Sequence, residues 1–321
     1  MDRLAKLIPI ISALGMVCSH AGALADKAAA ADSKREAYVE GLNGWRFLPS
    51  ELRFADKLAS PDISALAAPA VTVIADFASQ LREGGASLVV VPIPPKALVQ
   101  SSSLGLTAEE LLAMKSGWEK IMADLGARGV QVIDILPDYS AAAEPVFCLR
   151  DTHWSGRGID VAVQRLLAAL PGAGIAVDAA SAGAQAPLKE VEINGDLGGS
   201  PEKVQLRFPA VPDSSNAPQL LLLGDSHVLV FHQGGDLHGT GAGLPEQLAS
   251  ALGFMPSVLG VRGSGATSCR LQLARKLRSE PDYLAGKKLV AWVFAGREFT
   301  EADMWKKIPI FPAAKKVEPG G

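Results

Sequence analysis

Short, uniformly apolar runs alternate along this chain with longer stretches in which apolar residues recur every three or four positions. The runs at 86–93, 220–223, 256–261 and 288–294 have few polar breaks, the pattern of strands covered on both faces. A further strand is predicted at 130–135, after Gly129. The longer stretches predict helices at 71–82, stopped by Gly84 and Gly85, and at 107–125, where Thr107 is the N-cap and Glu110 its capping-box partner. Others follow at 158–170, ended by Pro171 and Gly172, at 245–252 and at 268–279. Residues 172–188, rich in Ala, Gly and Ser, read as a surface connection. Repeated strand–helix units predict an α/β fold, a three-layer sandwich around a mainly parallel sheet. No internal repeat and no strong linker breaks the pattern. One domain is therefore expected over 26–321, with 26–70 as a lead-in and 300–321 as a tail packed around it.

The first residues follow another rule. Arg3 and Lys6 precede the apolar stretch 7–18, and Ala23-Leu24-Ala25 places small residues at a cleavage position. Residues 1–25 thus read as a signal peptide, and the mature, soluble, exported chain is expected to begin near Asp26. Cys18 is a poor lipidation site, because Gly15-Met16-Val17 puts no small residue next to it. Composition agrees with a large core: 48% of the 321 residues are hydrophobic and 20% charged. A net charge of −3 leaves no basic footprint, which excludes nucleic acid as a partner. In an exported chain Cys148 and Cys269 are expected either to pair or to be two buried thiols; sequence leaves both open.

Candidate chemistry gathers in two places. Asp151-Thr-His-Trp154 supplies a carboxylate and an imidazole two residues apart, so in extended backbone both point to one side. Gly224-Asp-Ser226 supplies a hydroxyl where the run 220–223 gives way to a turn. A serine hydroxyl needs an imidazole to take its proton, and the imidazole needs a carboxylate to fix its tautomer. Ser226, His153 and Asp151 are the expected nucleophile, base and orienting acid; Asp225 is read as a turn-stabilising residue. Ligands of open parallel sheets bind beyond the carboxyl ends of the strands, and that edge is expected to collect Ser226, Lys96 and Arg297. His227, His232 and His238 have spacings that fit no common metal set, so no metal is expected. Trp45 and Trp154 are candidate sugar platforms, with burial the commoner fate of such rings. No nucleotide or coenzyme motif occurs, and no cofactor is expected.

These motifs, together with Gly44-Trp-Arg-Phe-Leu48, Val91-Pro-Ile-Pro-Pro-Lys96, Gly195-Asp-Leu197 and the ending from Trp292 to Arg297, resemble the alginate O-acetyltransferase family of AlgJ/AlgX type, in the family's order over most of 40–310. The resemblance implies an SGNH-hydrolase-like domain and a periplasmic polysaccharide O-acetyltransferase of exopolysaccharide biosynthesis. It also implies an acetyl-serine intermediate on Ser226, a polysaccharide acceptor, and an acetyl donor supplied by a membrane-bound O-acyltransferase. Lys96, Trp154, His227 and Arg297 are expected to line the acceptor groove, although His227 stands where an aromatic or hydroxyl residue is usual. Two other readings use the same residues: a secreted carbohydrate O-acetylesterase with water as acceptor, and a non-catalytic polysaccharide-binding or scaffold protein on this fold.

Overall fold

In a computed structural model the described residues are 22–177, 186–213, 218–263, 265–301 and 305–311. The expected signal segment lies outside them up to residue 21, as do 178–185 of the expected surface connection and most of the expected tail. Helix α1 (Ala23–Lys34) contains the Ala23-Leu24-Ala25 cleavage sequence. It buries Leu24 and Ala28 against α2 (Pro49–Leu58), and the Gly22 amide donates to Asp56 at 2.9 Å.

Among the described residues β1 (Val39–Glu40) and β2 (Arg46–Phe47) form a short antiparallel pair, and five further strands form the central sheet: β3 (Ser87–Ile93), β4 (Gln131–Val132), β7 (Leu220–Gly224), β8 (Ser257–Gly260) and β9 (Leu289–Ala295). Their order is β4-β3-β9-β7-β8, and every pairing is parallel. The strand made last in sequence therefore sits at the centre, which explains why its side chains are buried on both faces. Val290, Trp292 and Phe294 enter one core and Leu289, Ala291 and Val293 the other, the period-two consequence of the pleat. The first core is closed by α2, α3 (Ile63–Glu83), α5 (Ala108–Ala127) and α10 (Gly265–Ser279). There Phe77 meets Trp292 edge-on at 5.3 Å. The second core is closed by α7 (Gly156–Ala169) and α9 (Leu244–Leu252). The fold is the three-layer α/β sandwich expected.

Local details depart from the sequence pattern for identifiable reasons. Helix α3 starts at Ile63 rather than 71, because Ile63, Ala67, Ala70, Ile74, Phe77 and Leu81 continue one buried stripe through Pro69 in the second turn. Thr107 and Glu110 do form the capping box of α5. The strand expected at 130–135 pairs only over Gln131–Val132. Asp134 ends it by accepting from the Leu136 amide at 3.0 Å and from the Trp118 indole at 2.9 Å. An antiparallel hairpin was not expected at all: β5 (Leu188–Ile193) pairs with β6 (Glu202–Arg207) apart from the main sheet. Its Ile193, Val204 and Leu206 pack into the second core.

The disulfide alternative is overturned. Cys148 and Cys269 are both free and buried. Cys148 lies in the second core and Cys269 in the first, with the sheet between them. Each thiol meets a nearby carbonyl, of Trp154 at 3.4 Å and of Ala266 at 3.3 Å.

Candidate active site

The segment 148–154 belongs to no helix or ladder apart from a single bridge between Phe147 and Trp154. Buried polar backbone must nonetheless find partners, and here distant side chains provide them. Glu202 of β6 accepts the Leu149 amide at 2.6 Å and the Arg150 amide at 2.7 Å. Asp196, in the turn of the hairpin, accepts the Thr152 amide at 2.8 Å and its hydroxyl at 2.5 Å. From the other side Lys96 donates to the carbonyls of Leu149 and Asp151, both at 3.1 Å, and of Arg46 at 2.8 Å.

That scaffold fixes Asp151, which is fully buried. Its Oδ1 accepts the His153 amide at 2.8 Å and faces His153 Nδ1 at 2.6 Å. Its Oδ2 accepts the Asp196 amide at 2.8 Å and faces His238 Nε2 at 2.7 Å. Burial works to raise the Asp151 carboxyl pKa, but hydrogen bonds from His153 and His238, the His153 charge and the Asp196 amide together hold it well below the usual carboxylate range. For His153 burial works downward, and the hydrogen bond to Asp151 and the carboxylate charges of Asp151, Asp196 and Asp225 outweigh it, so its pKa is raised. With Nδ1 committed to Asp151, the outer nitrogen is the free end. His153 Nε2 is buried and has no hydrogen-bond partner among the described residues.

Ser226 begins a four-residue helix, α8 (Ser226–Leu229), directly after β7 and Asp225. Asp225 builds the turn as expected: its Oδ1 accepts the His227 amide and faces His227 Nδ1, both at 2.9 Å, and its Oδ2 accepts the Ala295 amide at 2.7 Å. The serine turn is thereby tied to the end of β9. Among its neighbours from Leu220 to Val230, Ser226 alone is not buried. It lines a cavity of 980 Å³ together with His153, Asp196, His238 and Arg297. Ser226 and His153 thus face one cavity, without the hydrogen bond between them; in ligand-free sites such bonds are often long and tighten on binding.

Arg297 lies where the edge argument put it, on the cavity wall. The other three expected groove residues do not. Lys96 is fully buried and spends its ammonium on three carbonyls, leaving no donor for a ligand. Trp154 is fully buried with its ring edge-on to His227 at 5.6 Å, so it offers no face for a sugar. His227 is buried behind the turn; burial lowers its pKa despite the Asp225 charge, and it stands 5.2 Å from the His153 ring as a neutral neighbour. Sequence reasoning weighed His238 as a metal ligand and missed its contact with Asp151; it also lines the cavity. The ligand atoms of Asp151, His153 and His238 lie within 4.8 Å of one another, but hydrogen bonds between them already use those atoms. A cation would have to displace both imidazoles from the carboxylate. His232 is paired with Glu246 at 2.6 Å.

A parallel sheet with a serine turn at the end of one central strand, faced by an Asp-x-His segment, is the SGNH-hydrolase-like class of α/β protein. Over residues 38–295 the chain matches the family described as the SGNH hydrolase-like domain of acetyltransferase AlgX, and it belongs to that family of O-acetyltransferases. Among solved structures it is similar to the O-acetyltransferase domain of Pseudomonas putida AlgJ, at 20% identity and a TM-score of 0.60, covering 83% of this chain and 93% of that one. It is also similar to Pseudomonas aeruginosa AlgX, at 17% identity and a TM-score of 0.52, covering 74% of this chain and 59% of that one. A third likeness is to Bacillus cereus PatB1 with a sulfonyl adduct, at 12% identity and a TM-score of 0.50, covering 77% of this chain and 91% of that one. At such identities these are likenesses of fold. No curated protein matches the chain by sequence.

Proposed function

We propose that the protein is an exported, periplasmic O-acetyltransferase that moves acetyl groups onto a polysaccharide through an acetyl-Ser226 intermediate. One observation carries the reading: His153 is oriented by Asp151, its Nε2 has no partner among the described residues, and the residue lines the same cavity as Ser226. In the first half-reaction Ser226 Oγ attacks the acetyl carbonyl of the donor while its proton passes to His153 Nε2. The tetrahedral oxyanion is held by backbone amides of the turn, with the Ser226 amide the chief donor, since the His227 amide is spent on Asp225. The carbonyl re-forms, the donor oxygen leaves with the proton from His153, and acetyl-Ser226 remains. A sugar hydroxyl then attacks that ester and gives its proton to Nε2; as the tetrahedral intermediate collapses, Ser226 Oγ leaves with that proton, and the acetylated sugar and free Ser226 are formed.

Throughout, Asp151 stays ionised and stabilises the imidazolium, as its lowered pKa allows. Of the two arginines on the cavity wall Arg262 is paired with Asp236, and Arg297 is the one assigned to an acidic sugar. The resemblance to the AlgJ/AlgX type suggests a membrane-bound O-acyltransferase as the source of acetyl, and the signal-peptide pattern of residues 1–25 suggests export. The test incubates residues 26–321 with p-nitrophenyl acetate and an oligosaccharide panel that includes uronates, and follows products by mass spectrometry. Acetylated sugar formed by the wild type and not by Ser226→Ala is the expected result. Acetate release without any acetylated sugar would replace this reading with the esterase.

A further inference from the structure

We propose that His238 is a positioning residue for this acyl transfer: it holds the second oxygen of Asp151 and so sets the angle at which His153 meets Ser226. The proposal rests on the acyl-transfer reading above. Its ground is the division of labour on the Asp151 carboxylate. Oδ1 serves His153 alone, through both the amide and Nδ1. Oδ2 serves the Asp196 amide and His238 Nε2. An ionised carboxylate only accepts, so His238 must carry its proton on Nε2. The two donors on Oδ2 oppose rotation of the carboxylate, and any rotation would carry the His153 ring with it.

The way His238 is delivered supports a dedicated role. It adopts a left-handed backbone, φ 68°, just after the 3-10 turn Gly235–Leu237. A side chain in that region is strained and persists where the surroundings insist on it. Here they do. The Phe231 amide donates to the Leu237 carbonyl at 2.9 Å, the Ala242 amide to the Phe231 carbonyl at 3.0 Å, and the Phe231 ring lies 5.8 Å from the imidazole. The side chain is 5% exposed, which shields its bond to Asp151 from competing water. The chain thus spends a strained residue in a glycine-rich loop, 87 positions downstream, on one oxygen of the acid.

The test compares His238→Phe, which keeps a ring against Phe231 but removes the donor, with His238→Gln, whose amide nitrogen replaces Nε2. Two readouts are taken on the folded full chain: p-nitrophenyl acetate kinetics, and the rate at which phenylmethylsulfonyl fluoride labels Ser226 by intact mass. His238→Phe should lose about tenfold to a hundredfold in kcat and in labelling rate with KM within twofold, the scale of a small misalignment of reacting groups. His238→Gln should recover most of the loss. A His238→Phe protein with wild-type kcat overturns the proposal, as does a change confined to KM or a Gln variant no better than Phe. Failure of the underlying reading looks different: Ser226→Ala would then label and turn over ester as well as the wild type, and the His238 proposal would fall with it.

Discussion

Replacing Lys96 by methionine separates a buried structural ammonium from the substrate contact expected from sequence. The stem fits the same space, but three carbonyls, of Arg46, Leu149 and Asp151, lose a charged donor. A hydrogen bond to a charged group contributes about 1.5–3 kcal/mol net. Methionine returns part of that sum, because burial of the ammonium is itself costly and lowers the Lys96 pKa. Glu51, whose carboxylate accepts the Lys96 amide and whose pKa burial already raises, is left with less positive charge nearby. Breaking a buried charge from its partners typically costs about 3–5 kcal/mol, and a loss in that range is expected. Urea unfolding followed by tryptophan fluorescence measures it. Since two of the three carbonyls belong to the segment bearing Asp151 and His153, kcat should also fall, by about tenfold, with KM within twofold. A variant within about 0.5 kcal/mol of wild type, or one with a raised KM and unchanged kcat, would refute the reasoning and restore Lys96 as a ligand contact.

The raised His153 pKa gives a signed pH effect. As a base it must be neutral, so kcat/KM should rise with pH through a midpoint above the ordinary imidazole value of about 6.5. The stability that the pair contributes runs the other way, complete below that ordinary value and lost as pH climbs through the folded one; an activity midpoint near 6 would be inconsistent with this. Glu298, buried and pushed up to about 7, binds its proton more tightly folded than unfolded, so its contribution to stability is lost between its ordinary value and about 7. Glu298→Gln keeps an acceptor for the Ala266 amide and should gain about 1–2 kcal/mol at pH 8 and nothing at pH 4 in parallel urea titrations; an equal effect at both pH values would contradict this.

The strands of the central sheet were legible because burial on both faces leaves an unbroken apolar run, and β3, β7, β8 and β9 fall close to the positions expected. The Asp151–His153 contact was legible because its members are two residues apart, and the position of Ser226 because it follows the end of an apolar strand. The hairpin β5–β6 was not, although Val204 and Leu206 alternate with Lys203 and Gln205: its alternating, half-exposed pattern differs from that of the parallel strands and follows a Gly- and Ala-rich stretch. Lys96, Trp154 and His227 stand beside the right motifs, which is why they looked like ligand contacts. Whether a residue beside a motif points into the cavity or back into the core depends on packing from segments far away in sequence. His238 carries no local signal at all; its partner is Asp151, on the other side of α7, β5–β6 and β7 in the chain.

The hairpin has a mechanical meaning beyond its place in the fold. Glu192, Ile193 and Asn194 at the end of β5 face the cavity. Asp196, a few residues on, holds Thr152 and Asp151, and Glu202 at the start of β6 holds Leu149 and Arg150. A ligand seated in the cavity would press on one arm of a lever whose other arm holds the segment that bears Asp151 and His153. Occupancy and alignment are therefore in series rather than in parallel. A ligand that seats badly against the hairpin would loosen the very groups meant to act on it, and discrimination between acceptors would register as speed more than as affinity.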